Sequence, residues 1–207
     1  MSYSQYGEDL IIQEIFSRIN SPATNFRLLD IGAWDPIEKS NSRLLIEQGW
    51  SAVLIEPSPT PLRNLIGAYG PRFARKPEQE IIVVGAAVSL AGGMLDLIIT
   101  DDAVSTASAE VATLWQEKGG YIGHGWFPSI TIQDVFNQFG GEFDFVNIDA
   151  EGLSVELAIA YLKTEAFPRV MCVEHDSRQV ELMQVAAKRG YSAREMNGTN
   201  IILEHRR

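Results

Sequence analysis

Arg27-Leu-Leu-Asp-Ile-Gly-Ala-Trp-Asp-Pro36 is the stretch from which the fold class of this chain is read. Arg27 to Ile31 has the apolar character of a short buried strand. The strand breaks at Gly32 and Ala33 and runs toward a helix expected to start near Pro36. Asp30 falls at the carboxyl end of the strand, where open α/β sheets place their ligands. Gly32 lacks a Cβ, so the turn can take a positive φ and a ligand can approach the backbone closely. After Gly49-Trp50 a second apolar strand, Ala52-Val-Leu-Ile55, ends in Glu56. An acid at the end of the second strand is the usual acceptor for the ribose hydroxyls of an adenosine-containing cofactor. Strand, glycine turn, helix, strand and acid together point to a nucleoside cofactor without saying which.

Composition sets the outer limits. The 207 residues, 45% of them hydrophobic, suffice for one well-cored domain, 1–207, with room for one insertion. No apolar run approaches the roughly 20 residues that span a bilayer, and Met1-Ser-Tyr-Ser-Gln5 lacks the features of a signal peptide. The single cysteine, Cys172, excludes an intramolecular disulfide and fits a reduced, cytoplasmic setting. The formal net charge is −10 and no cluster of Lys or Arg stands out. A nucleic-acid partner is therefore not expected, because phosphate backbones are bound by basic footprints.

Working outward, Leu10, Ile11, Ile15, Phe16 and Ile19 follow helical spacing and predict an amphipathic helix over 3–19. Ser4, Gln5, Gly7, Glu8 and Asp9 either cap that helix or, in the case of Gln5, fold over the cofactor. Ser40-Asn41-Ser42 lies in the helix after the first strand or in a loop just before it. Its small polar side chains can hydrogen-bond a carboxylate or cap a helix over Arg43 to Gln48. Pro57-Ser-Pro-Thr-Pro61 is a stiff turn into a helix over Leu62 to Ala68. Ile81-Ile-Val-Val84 is a third buried strand, followed by Gly85-Ala86-Ala87, small enough to leave room for a flat ring. Gly92-Gly93 is a turn and Met94 to Thr100 another strand.

Residues 101–128 differ in composition, with Trp115, Gly119-Gly120, Tyr121, His124, Gly125, Trp126 and Phe127. They suggest a lid or substrate insertion. The alternative is a peripheral helix, Ala107 to Lys118, with Trp115 in the core. A short helix follows, opening at Thr131. Phe143-Asp-Phe-Val-Asn-Ile148 is a fourth strand ending in Asp149-Ala-Glu151-Gly152. Two acids so placed are costly to crowd together without a cation, a proton or a hydroxyl partner. Leu153 to Lys163 is helical, Val170 to Val173 a strand ending in Glu174-His175-Asp176, and Gln179 to Lys188 a helix stopped by Gly190. Tyr191 to Met196 and Thr199 to Glu204 form a hairpin across Asn197-Gly198.

The order predicts an α/β fold, a mostly parallel sheet with helices on both faces, closed by a C-terminal antiparallel hairpin. Nicotinamide-binding domains usually continue the parallel pattern. The Rossmann-like class I methyltransferase sheet instead inserts its last strand antiparallel beside its neighbour. Ser4-Gln5-x-Gly7-x-Asp9, Leu29-Asp-Ile-Gly-Ala33, Ser40-Asn-Ser42, Gly49-Trp50, Ile55-Glu-Pro57, Ala87-Val-Ser89 and Asp144-x-x-x-Ile148-Asp-x-Glu-Gly152 resemble, in this order, the FkbM-type methyltransferases. The resemblance implies a seven-stranded, S-adenosylmethionine-dependent enzyme, usually an O-methyltransferase of sugars or other small metabolites. By position it puts Asp30 and Gly32 against the methionine part of the cofactor, and Gln5, Ala33, Asn41 and Ser42 are further cofactor-binding candidates. Glu56 would take the ribose hydroxyls, Ala86 and Ala87 would border the adenine, and Asp149 would face the methyl group. Many methyltransferases carry an acid at the adenine edge, and this chain does not.

A sulfonium methyl is already activated, so transfer needs positioning and a nucleophile freed of its proton. Asp149, His124 and His175 are the candidate bases. Asp149, Glu174 and Asp176, at the ends of two strands expected to be neighbours, are the candidate ligands of a Mg²⁺ that would lower the pKa of the acceptor hydroxyl. The acceptor is a small molecule or glycan, and a homodimer is the commonest assembly for such a domain. Two other readings stay open: a homologue that holds the cofactor without turnover, and a nicotinamide-dependent oxidoreductase, for which the first turn has only one of the usual glycines.

Overall fold

The stretch Arg27–Ile31 is strand β1 in the computed structural model, which describes residues 1–19, 25–70, 73, 77–100 and 121–206. Four of its five residues are buried, because the strand runs through the middle of a sheet covered on both faces. The other strands are β2 (Ser51–Ile55), β3 (Ile81–Val84), β4 (Ala87–Val88), β5 (Gly93–Thr100), β6 (Tyr121–Ile130), β7 (Phe145–Ile148), β8 (Val170–Glu174), β9 (Tyr191–Met196) and β10 (Asn200–His205). The described helices are α1 (Glu8–Ser17), α2 (Arg43–Glu47), α3 (Pro59–Ala68), α4 (Ile132–Phe139), α5 (Ser154–Leu162) and α6 (Gln179–Lys188).

Seven strands form one sheet in the order β3-β2-β1-β7-β8-β10-β9. The first five are mutually parallel, and β10 is antiparallel to both β8 and β9. The chain builds outward from β1 to β3 in one direction and from β7 to β8 in the other. The loops after β1 and β7 therefore diverge, and a crevice opens at the carboxyl ends of the central strands. Alternation sorts the side chains. Leu29, Ile31, Val146, Ile148, Met171 and Val173 face α4, α5 and α6, whereas Leu28, Leu54, Phe145 and Cys172 face α1, α2 and α3.

Several elements differ from expectation. The first helix covers Glu8–Ser17 rather than 3–19, because Gly7 at φ +84° ends the preceding segment. No helix starts near Pro36. Asp35 Oδ1 accepts from the amides of Ile37 and Glu38, Trp34 and Lys39 take positive φ, and helix α2 begins only after Ser42. Helix α3 starts at Pro59, since proline is tolerated in a first turn whose N–H groups have no helical acceptor. Residues 121–128 of the segment read as a lid or substrate insertion belong to a ten-residue strand, β6, central in a second sheet of order β4-β6-β5. Pro128 is tolerated there because β6 pairs with β4 only through Ser129 and Ile130. The helix expected over Ala107 to Lys118 and the placement of Trp115 lie outside the described residues. No described helix is long and apolar enough to cross a membrane.

Tyr161 of α5 is fully buried, and among the described residues its hydroxyl has no hydrogen-bond partner. An unpaired buried hydroxyl destabilises a fold by about 1–3 kcal/mol. Tyr161→Phe is expected to leave the urea midpoint unchanged or raise it; a lowered midpoint would reveal a partner for the hydroxyl.

Candidate functional site

At the end of β1, Asp30 is buried with both carboxylate oxygens occupied. Ser42 donates to Oδ2, and the Asn147 amide donates to Oδ1 at 2.8 Å. Asn147 sits directly across from Asp30 in the β1–β7 register and accepts from Asn41 Nδ2 at 3.0 Å. Burial raises the Asp30 pKa, opposed by the Ser42 and Asn147 hydrogen bonds.

Gly32 takes φ +80°, and its amide and that of Ala33 donate to the Ile55 carbonyl at 2.9 and 3.1 Å. A Cβ at Gly32 would lie 1.8 Å from the Asp149 carbonyl oxygen, so the ends of β1 and β7 meet only because residue 32 has no side chain. Glu56, at the end of β2, accepts from the amides of Trp34 (3.1 Å) and Ser58 (2.7 Å), which fixes its carboxylate between the first turn and the start of α3. Burial raises its pKa too, against those same hydrogen bonds.

These strand ends line a cavity of about 270 Å³, just under the roughly 300 Å³ at which ligand pockets usually begin. Gln5, Asp30, Gly32, Ala33, Asn41, Glu56, Ala86, Ala87 and Asp149 all reach it. Ser42, the remaining cofactor candidate, is one step back and acts on the cavity through Asp30. One wall was missed in the sequence: Leu95 and Leu97 of β5 point into the cavity beside Val88. Their alternation with Asp96 carried the signal. Among the described residues the lining is charge-asymmetric, with acids Asp30, Glu56, Asp149, Glu151 and Glu174 against one base, Lys39.

The chain closes the opposite wall with residues far apart in sequence. Asp9 accepts from the Tyr3 amide and from Ser2 and Ser4, folding the N-terminal segment back on α1. Glu8 accepts from Asn197 and Asn200, both at 2.8 Å, at the tip of the β9–β10 hairpin. Burial opposes ionisation of Glu8, but these donors and nearby amides outweigh it and hold the carboxyl below its usual range. Gln5 on one side of this clasp, and Thr199 and Asn200 on the other, all line the cavity.

The carboxylates of Asp149, Glu151 and Glu174 approach within 4.8 Å of one another. Asp176, expected as the third member, lies outside this group beside Glu156, Arg178 and His175, from where its charge still raises the pKa values of Asp149 and Glu174. Glu151 takes its place because the turn after β7 brings that side chain back toward the end of β8. Burial pushes up the pKa values of both Asp149 and Glu174, which are hydrogen-bonded to each other. Repulsion from Asp149 and Glu151 pushes Glu174 the higher, so the pair shares a proton held mainly on Glu174. Ser154 donates to Glu174 at 3.2 Å and accepts from the Ala150 amide.

Neither candidate histidine lines the cavity. His124 pairs with Asp96 at 3.0 Å on the exposed face of the smaller sheet, opposite the face that carries Leu95 and Leu97. His175 is buried, with Nδ1 accepting from the Ser177 amide and Nε2 3.1 Å from the Asn197 carbonyl. A proton on Nε2 satisfies both contacts and leaves no nitrogen for a substrate. Neither histidine expected as a base therefore stands at the cavity.

No family model matches the chain, and no curated protein matches it.

Two outcomes test this geometry. Gly32→Ala should lower unfolding free energy by about 2 kcal/mol or more, combining left-handed backbone strain with a backbone clash; a Tm equal to wild type would show that the strand ends separate freely. Glu174 has a folded pKa above its unfolded value, so its stabilisation is present at low pH. That stabilisation is lost as pH rises from the ordinary carboxylate range toward the folded pKa. Glu174→Gln is therefore expected to gain Tm over wild type between about pH 5 and about pH 8.5, and a pH-independent difference would remove the shared proton.

Proposed function

We propose that this protein is an S-adenosylmethionine-dependent methyltransferase acting on a hydroxyl of a sugar or other small metabolite. The observation that carries the reading is the pair of acids Asp30 and Glu56. They stand at the ends of adjacent parallel strands on either side of the Gly32 turn, beside the point where strand order reverses. The antiparallel β10, inserted between β8 and β9, supports a class I methyltransferase arrangement over a nicotinamide-binding one. The cradle that a Cβ at residue 32 would fill suits close approach of a cofactor to the backbone.

The lining divides into three parts that match the three chemical parts of such a cofactor and its acceptor. Ala86, Ala87, Val88, Leu95 and Leu97 offer an apolar slot for the adenine ring, which would be held without a side-chain acid at its edge. Glu56 keeps lone pairs free to accept from ribose hydroxyls, while its amide partners prevent it from turning away. Asp30 offers a fixed carboxylate to a cationic amino-acid moiety. When bound, S-adenosylmethionine supplies a methyl group activated by the positive sulfonium. The surrounding acids favour that charge through space.

Asp149 receives the proton of the acceptor hydroxyl in this reading. A carboxylate with a raised pKa is the stronger base, and its hydrogen-bonded partner Glu174 orients it. The same chemistry leaves room for a divalent ion: Asp149, Glu151 and Glu174 would hold Mg²⁺, which would take the place of the shared proton.

Titration calorimetry with S-adenosylhomocysteine, using NAD as the control, is the direct test. Binding of the former and not the latter is expected. Binding of neither would remove the reading. With an acceptor in hand, Asp149→Asn should retain S-adenosylhomocysteine affinity while turnover falls by about 100-fold or more. A chain that binds the cofactor and has no turnover to lose would be a holding protein instead.

A further inference from the structure

Asn147 is an anomaly in its strand. Phe145, Val146 and Ile148 are the apolar residues expected of a central parallel strand, yet residue 147 is a buried amide. Burying such a group is unfavourable unless its hydrogen bonds are made. Here both ends are: Nδ2 donates to Asp30 Oδ1 at 2.8 Å, and Oδ1 accepts from Asn41 Nδ2 at 3.0 Å. The direction of this hydrogen-bond chain starts at the carboxylate, whose oxygen accepts. Asn147 turns its amide nitrogen toward Asp30, its oxygen then faces away, and Asn41 Nδ2 donates to that oxygen and holds the amide in place. Asn41 Nδ2 is also 3.6 Å from Cys172 Sγ, the residue across from Asn147 on β8, so the amide row is seated on three neighbouring strands. Ser42, next to Asn41, donates to the other Asp30 oxygen.

We propose that Asn147 is a positioning residue that, held by Asn41, fixes the Asp30 carboxylate for the charged amino-acid end of the ligand. The inference rests on the cofactor reading above and deepens it. Asp30 with only Ser42 would keep one anchored oxygen and be free to pivot about it. The Asn147 amide supplies the second anchor and so defines the carboxylate plane. The remaining lone pairs of Asp30 are then the only ones a ligand ammonium meets. All of these residues line one cavity, but among the described residues none of the hydrogen bonds that hold Asp30 involves Ala86, Ala87, Leu95 or Leu97.

That separation supplies the test. S-adenosylhomocysteine carries the amino-acid end, and 5′-methylthioadenosine has the same nucleoside without it. Calorimetric affinities of both are compared for wild type, Asn147→Leu and Asn41→Ala, with folding checked by circular dichroism. Asn147→Leu is expected to weaken S-adenosylhomocysteine by at least about tenfold and leave methylthioadenosine within about twofold of wild type, as loss of one hydrogen bond to a charged group implies. Asn41→Ala, outside the sheet, should give the same selective loss at smaller size, and it carries the test if the leucine variant fails to fold. Equal weakening of both ligands, or of neither, would overturn the positioning role while leaving the cofactor reading standing. Wild-type protein that binds neither ligand would overturn both.

Discussion

Two strand ends approach one another at Gly32, and the rest of the site follows from that approach. The Asp149 carbonyl occupies space that any other residue at position 32 would fill with its Cβ. Because β1 and β7 stay close to their final residue, Asp30 lies across from Asn147, and Asp149 is near enough to Asp30 to feel its charge. The same turn sends two amides to the Ile55 carbonyl, which draws the end of β2 and its Glu56 to the same place. A backbone constraint thus gathers three acids that electrostatics alone would keep apart.

Holding them there requires donors, and the structure supplies a different kind to each. Asp30 is served by side chains from a loop and a strand, Glu56 by main-chain amides, and Glu174 by Ser154 and its neighbouring carboxyl. The first two arrangements favour the ionised form. The third relieves crowding by retaining a proton. Burial raises the pKa of all of them; donors oppose it at Asp30 and Glu56, whereas repulsion from Asp149 and Glu151 adds to it at Glu174.

Much of this was legible in the sequence because strand-end positions are one-dimensional features. Apolar runs that stop at Asp30, Glu56 and Asp149 mark where a parallel sheet presents its ligands, and all three acids line the cavity. What escaped was set by pairing between distant segments. The strand Tyr121–Ile130 has the glycines and proline of a loop and becomes a strand through its ladder with β5. The crowding of Asp149 with Glu151 was read from their spacing, but that Glu174 joins this pair without Asp176 is set by how the ends of β7 and β8 meet. His124 looked like a base within a flexible loop and stands instead on the outward face of a sheet, where alternation puts it. Asn147 did carry a local signal, a lone amide in an apolar strand, but its meaning required knowing that Asp30 lies opposite.

The clasp between Glu8 and the asparagines of the β9–β10 tip joins residues separated by 189 and 192 positions. One wall of the cavity is consequently made from the earliest and latest parts of the described chain. During synthesis Glu8 is therefore without these partners until about 190 further residues have been added. The cavity can acquire its final outline only after β9 and β10 have been made and have joined the sheet. The outline of this cavity thus depends on the β9–β10 hairpin as much as on the β1–β2 unit that supplies Asp30 and Glu56.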